Sequence, residues 1–180
     1  MTVLAEDKRS QQLARRFLLR LGYSNHHIHL DALPAGAGSG AAFVVMRYPV
    51  IVKSLRSCPT TALLTHIDAD QFTVDQRRRL LDQSLDDNAV KAAQPELLFH
   101  WIPKWNIEAW LLYLLGRPSH EDADLKHEYE HSIRPTDGPT IRQAAERLYE
   151  ISRPDQSLDA ISLPLLRAAC GEARRISGPA

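Results

Sequence analysis

The segment Ala62 to Asp70, ALLTHIDAD, is an apolar run that ends in two aspartates one residue apart. A strand buried on both faces of a sheet presents its first free polar side chains where it leaves the sheet. Open α/β sheets bind ligands there, at the carboxyl ends of their strands. On an extended exit, Asp68 and Asp70 put both carboxylates on one side of the chain. Two hard oxygen ligands so placed suit Mg²⁺ or Mn²⁺. A helix N-cap followed by a solvated turn would use the same residue types, so this segment alone leaves metal site and cap open.

A second acidic junction lies near the N-terminus. Thr2 to Ala5 is a short β-prone run, and Glu6 ends it. Asp7 to Leu21 then reads as an amphipathic helix, with Leu13, Phe17, Leu18 and Leu21 on the apolar stripe. An acidic first turn complements the helix dipole and needs no chemistry. If the two strands are parallel neighbours, however, Glu6 comes beside Asp68 and Asp70. Three carboxylates at one sheet edge repel each other unless a cation sits between them.

A strand ending in Glu, a helix, further α/β units and a strand ending in Asp-x-Asp resembles the Toprim domain. That domain occurs in topoisomerases, bacterial primases, recombination factors and the OLD-type nucleases of phage defence. The resemblance spans roughly Thr2 to Leu115, and its defining motifs are VLAED and LLTHIDAD. The PAGAGSG and IPKWNIEAWLLYL segments are similar to those of small defence-associated Toprim-like proteins. The resemblance implies that Glu6 acts as general acid or base or as a metal ligand, and that Asp68 and Asp70 bind Mg²⁺. In the family a glycine usually follows the glutamate; here it is Asp7. That departure bears on how closely a phosphate can approach the backbone.

The positioning elements follow from alternating strand and helix patterns. His27 to Leu33 alternates like a strand and stops at Pro34. Ala41 to Arg56 is mixed, with Pro49 interrupting or kinking a helix. After the Asp-x-Asp strand, Val74 to Asp86 reads as a charged helix with Leu80, Leu81 and Leu85 facing inward. Leu97 to Ile102 is the next strand, and Asn106 is placed to cap the apolar helix that Gly116 stops. Arg117 to Pro139 turns polar and reads as flexible, and two further helices follow, Thr140 to Ile151 and about Leu163 to Ile176. This order predicts an α/β fold: a mostly parallel open sheet with helices on both faces, Toprim- or Rossmann-like, with a C-terminal helical extension. The expected division is an α/β domain over 1–116 and a helical extension over 117–180 packed on it.

Composition narrows the function classes. The 180 residues are 44% hydrophobic and 24% charged, ordinary for a globular domain. Lys and Arg (22) balance Asp and Glu (22), so any basic surface for nucleic acid must be local. No apolar stretch reaches membrane-spanning length, which argues against a membrane partner, and Met1 begins a strand rather than a basic signal region. Cys58 and Cys170 are too few and too far apart for a disulfide framework. Cytoplasm is the simplest location.

Other motifs carry less. Gly36, Gly38 and Ala41 fit a dinucleotide-type spacing, but no acid ends the next strand about twenty residues on, and no Gly-Lys-Ser/Thr follows. The segment remains a candidate phosphate contact or a plain loop. Lys104 and Glu108 flank the start of the WNIEAWLL helix, where Lys104 could contact the scissile phosphate and Glu108 a second metal. The alternative is an exposed lysine and a first-turn glutamate. Trp101, Trp105 and Trp110 read as core. The histidines lack zinc-site spacing, and no G-x-S-x-G occurs.

The expectation is a Mg²⁺- or Mn²⁺-dependent Toprim-like nuclease on DNA or RNA, with Glu6, Asp68 and Asp70 at the metal and Lys104 and Glu108 in support. The resemblance suggests a separately encoded ABC- or SMC-type ATPase partner in a phage-defence complex, and a homo-oligomer is left open. The competing expectation is a non-catalytic binding or regulatory subunit of such a complex, whose carboxylates merely cap helices.

Overall fold

In a computed structural model that describes residues 1–31, 39–55, 57, 61–90, 97–133 and 137–176, β1 (Thr2–Ala5) is buried along its whole length. Its unbroken TVLA run is what a central parallel strand, covered on both faces, requires. β1 pairs in parallel with β2 (His29–Asp31) on one side and β3 (Leu63–His66) on the other, and β3 pairs with β4 (Leu98–Trp101). The sheet order is β2-β1-β3-β4, and the register sets Thr2 opposite Leu63 and Ala5 opposite His66.

Alternation along the strands feeds two cores. Val3, Ala5, Leu64, Phe99 and Trp101 face α1 (Lys8–Arg20), α4 (Glu108–Leu114), α5 (Lys126–Ile133), α6 (Asp137–Ser152) and α7 (Pro164–Arg175). Leu4, Leu63 and Leu98 face α2 (Gly40–Leu55) and α3 (Val74–Asp87). This is an open, all-parallel, Rossmann-like α/β fold with a helical C-terminal part. The first core mixes residues from 1–116 with residues from 117–176. α6 packs on α1 and α4, and α7 packs on β4 and α6, so the last helices cover one face of the sheet. Among the described residues no helix is long and apolar enough to cross a membrane.

Local expectations fail where packing overrides them. Pro49 lies inside a continuous α2, because Tyr48, Ile51, Val52 and Leu55 bury that helix against the sheet. The lost hydrogen bond costs about 3 kcal/mol, which burial of those side chains at roughly 1.5–3 kcal/mol each outweighs. His27 belongs to a short 3-10 turn rather than to β2. Leu80 is 37% exposed, whereas Leu81 and Leu85 are buried. The polar stretch after Gly116 is not simply flexible: it contains α5, and Glu121 within it is buried. The Glu121 carboxylate accepts from Trp110 Nε1 (2.8 Å) and from the backbone N–H groups of Leu165 (2.8 Å) and Leu166 (3.0 Å), tying α4 to the start of α7. Acids that read as solvated in the sequence are used here as internal connectors.

Candidate functional site

From β1 the chain goes to β2 on one side, then crosses over to β3 on the other. The carboxyl ends of β1 and β3 therefore flank the point where strand order reverses and helices leave to opposite faces, the position where open α/β sheets form a crevice. Glu6 directly follows β1, and Asp68 lies two residues past β3. Carboxylate oxygens of Glu6, Asp7 and Asp68 lie within 4.8 Å of one another. They line a cavity of about 490 Å³.

Gly40 makes this crowding feasible. A Cβ at Gly40 would sit 2.4 Å from the Glu6 carbonyl oxygen and 2.8 Å from Glu6 Cβ, so only glycine lets the start of α2 close on Glu6.

The electrostatics follow from burial. Asp68 is 6% exposed, and its Oδ1 has no hydrogen-bond partner. Burial, then the hydrogen bond with Glu6 and the charges of Glu6, Asp7 and Asp70, push the Asp68 carboxyl well above the usual range. Burial also raises the Glu6 carboxyl, although its hydrogen bond with Asp68 opposes the shift. Without a cation the pair favours sharing a proton over carrying two charges. Hard oxygen donors in ligand range of one another, one of them buried and unpartnered, fit a hard divalent ion.

Asp7 was read from the sequence only as the departure from glycine and the start of a helix, yet it is the third member of the cluster. It also caps α1, with Oδ1 accepting from the Ser10 N–H (2.8 Å) and Oδ2 from the Ser10 hydroxyl (3.1 Å). An acid placed directly after the strand-ending glutamate was the available signal.

Asp70 lines the same cavity but lies outside this three-carboxylate group. Its side chain is 49% exposed and pairs with Arg77 at 3.2 Å. The same-side argument for Asp68 and Asp70 needs an extended chain, and a φ of 54° at Asp70 ends the extension. Lys104 is turned to backbone: Nζ donates to the carbonyl oxygens of Asp70 (2.6 Å) and Phe72 (2.8 Å) and lies 4.8 Å from the Trp105 ring centre. It holds the turn that follows Asp68. Glu108 opens α4 on the cavity wall, paired with Arg9 at 2.6 Å. Burial raises its carboxyl, and the Arg9 hydrogen bond works against that shift.

The cations at the cavity are Lys8, Arg9 and Lys126, none of which the sequence reading placed there. Lys53, which with Arg56 and Lys104 is among the cations that the sequence places nearest the strand ends, lies in the last turn of α2, thirteen residues from Gly40, or about 20 Å along the helix axis. Gly36, Gly38 and Arg56 lie outside the described residues, while Ala41 lines the cavity. His66 is fully buried beside Trp110 (ring centres 6.2 Å apart), and burial pushes its imidazole down to about 4. His100 bonds the Tyr48 hydroxyl at 3.0 Å, and burial pushes it to about 4 as well. Among the described residues, no histidine joins a group of metal-ligating side chains. Comparisons with protein families, with curated proteins and with solved structures found no match for this chain.

Proposed function

We propose that this chain is a Mg²⁺- or Mn²⁺-dependent, Toprim-like phosphodiesterase acting on DNA or RNA. One observation carries the reading: three carboxylates crowd together at the strand-order reversal, and the most buried of them has an oxygen with no donor. Glu6, Asp7 and Asp68 would hold the ion. When bound, it would polarise a phosphoryl oxygen and lower the pKa of a nearby water. The chain's own groups do the rest. Lys8 and Lys126 bring positive charge to a phosphate in the cavity. Glu6 would serve either as a ligand of the ion or, where its carboxyl keeps the proton that burial favours and Asp7 and Asp68 hold the ion alone, as the acid that passes a proton to the departing oxygen. Arg9 keeps Glu108 in place on the wall, and Lys104 fixes the turn carrying Asp70. A net charge of zero supports delivery of nucleic acid by a partner, for which the Toprim resemblance suggests an ABC- or SMC-type ATPase of a phage-defence complex.

A second reading has its own support. Asp7 caps α1, Asp70 pairs with Arg77 and Glu108 pairs with Arg9, so several acids have structural work in a non-catalytic subunit. Melting curves with millimolar Mn²⁺ and with chelator, beside cleavage of labelled DNA and RNA, separate the two. The phosphodiesterase reading expects a Mn²⁺-dependent rise in melting temperature and metal-dependent cleavage. Absence of any rise would favour the non-catalytic subunit.

A further inference from the structure

Asn106 has the position of a helix cap but not the job. α4 starts at Glu108 with Ile107 at the cap position and no side-chain cap bond. The Asn106 carboxamide is engaged elsewhere: Nδ2 donates to Asp124 Oδ1 at 2.5 Å, and the same oxygen accepts from the Lys126 backbone N–H at 2.9 Å. A carboxylate only accepts, so this contact settles which end of the amide is nitrogen and leaves Oδ1 pointing away from Asp124. Asn106 is 8% exposed, Oδ1 has no partner, and the residue lines the carboxylate cavity. A buried acceptor without a donor is destabilising, and a bound ligand carrying a donor would remove that cost.

The rest of the cavity narrows the ligand. Lys8 and Lys126, free of ion pairs among the described residues, suit a phosphate, and the carboxylates would hold the divalent ion that offsets its charge. A phosphate dianion has no proton to give Asn106, whereas a hydroxyl on the group that carries the phosphate has one. A volume of about 490 Å³ falls in the range of small-molecule sites and matches one nucleotide rather than a duplex. We propose that the cavity takes a single hydroxyl-bearing nucleotide, free or at a strand end, and that Asn106 Oδ1 accepts a hydrogen bond from its sugar hydroxyl. This inference rests on the metal-dependent reading and names the substrate class of that site.

The test is calorimetric titration of AMP and of 2′,3′-dideoxy-AMP, with Mn²⁺ present, into wild type and Asn106→Ala. Melting curves check that the variant is folded. Wild type should bind AMP about tenfold or more tightly than the dideoxy compound, and the preference should vanish in Asn106→Ala. Equal affinities in wild type, or a preference that survives in the variant, would overturn the inference. So would failure of both nucleotides to bind. If Mn²⁺ still raises the melting temperature in that case, the metal centre stands and only the ligand assignment falls. If the Mn²⁺ effect is missing too, both fall.

Discussion

Two of the cavities lie at opposite ends of α4, and the larger of these two is the less informative. At the C-terminal end, about 700 Å³ is lined by residues that include Tyr113, Arg117, Arg147, Glu150 and Arg153. Two of its arginines are exposed and matched close by: Arg147 meets Glu150 at 3.1 Å, and Arg153 meets Asp155 at 3.0 Å. Arg174 ties down the loop beneath by donating to the carbonyl oxygens of Ser152 (3.0 Å) and Arg153 (2.8 Å). At the N-terminal end, about 490 Å³ holds Asp68 and Asn106, each buried and each with an oxygen lacking a donor. Exposed pairs cost little and contribute little. Buried unsatisfied acceptors lower stability, so the cavity that holds two of them is the stronger candidate for a site.

The largest contrast should appear on removing the buried oxygen. Asp68→Asn should abolish the Mn²⁺-dependent melting shift, worth about 2.7 kcal/mol at a hundredfold excess over Kd, and drop any cleavage at least about a hundredfold. Asp70→Asn, half-exposed and outside the cluster, should lower metal affinity much less. Equal losses from the two substitutions would erase the distinction drawn between these carboxylates.

Acidity should sharpen the contrast next. His66 and His100 are held near 4 against an ordinary 6.5, so their folded pKa is depressed by burial. The unfolded chain binds their protons more readily, so stability falls as pH drops from about 6.5 towards 4, by up to about 3 kcal/mol for each. Glu6 and Asp68 act in the opposite sense: with folded pKa values raised, the metal-free protein loses stability as pH climbs from the ordinary carboxylate range through those values. Urea titrations across pH, in chelator and in Mn²⁺, should differ by a loss of stability with rising pH that is present only in chelator. Identical profiles in the two would detach the carboxylates from metal binding.

Gly40→Ala would stabilise an ordinary helix. Here the added Cβ meets the Glu6 backbone, so a loss of about 1–3 kcal/mol is expected in chemical denaturation, with a weakened Mn²⁺ effect. The smallest change belongs to the other cavity. Arg147→Ala should stay within about 0.5 kcal/mol and leave metal binding intact; a clear loss of metal affinity would mean that the two cavities are coupled.

The sequence reading was strongest where a local pattern is decisive. β1 was delimited by its apolar run and the Glu6 that ends it, and α1 and α3 by periodicity and polar starts. Glu6 and Asp68 stood out because acids at strand ends are conspicuous. That they meet depends on β1 lying beside β3, a long-range pairing that neither segment encodes alone. Asp70 stands apart from the three-carboxylate group because its positive φ ends the extended chain on which alternation relies, and Lys104 donates to turn carbonyls, a local geometry that no sequence pattern displays. Lys126 and Asn106 were missed as site residues for a related reason. Each is positioned through Asp124, in a stretch whose polarity reads as flexible.

The central place of β1 has a kinetic consequence. Its partner β3 begins at Leu63, so Thr2 pairs with a residue synthesised much later. During translation Val3 and Leu4 stay without the strand that completes their cover until the chain has grown past His66 and left the ribosome. Closing that long loop is entropically slow, and pairing of this kind raises contact order. Until it closes, Glu6 and Asp68 stay apart and do not yet repel each other. The charge conflict therefore arises only once β1 and β3 have paired.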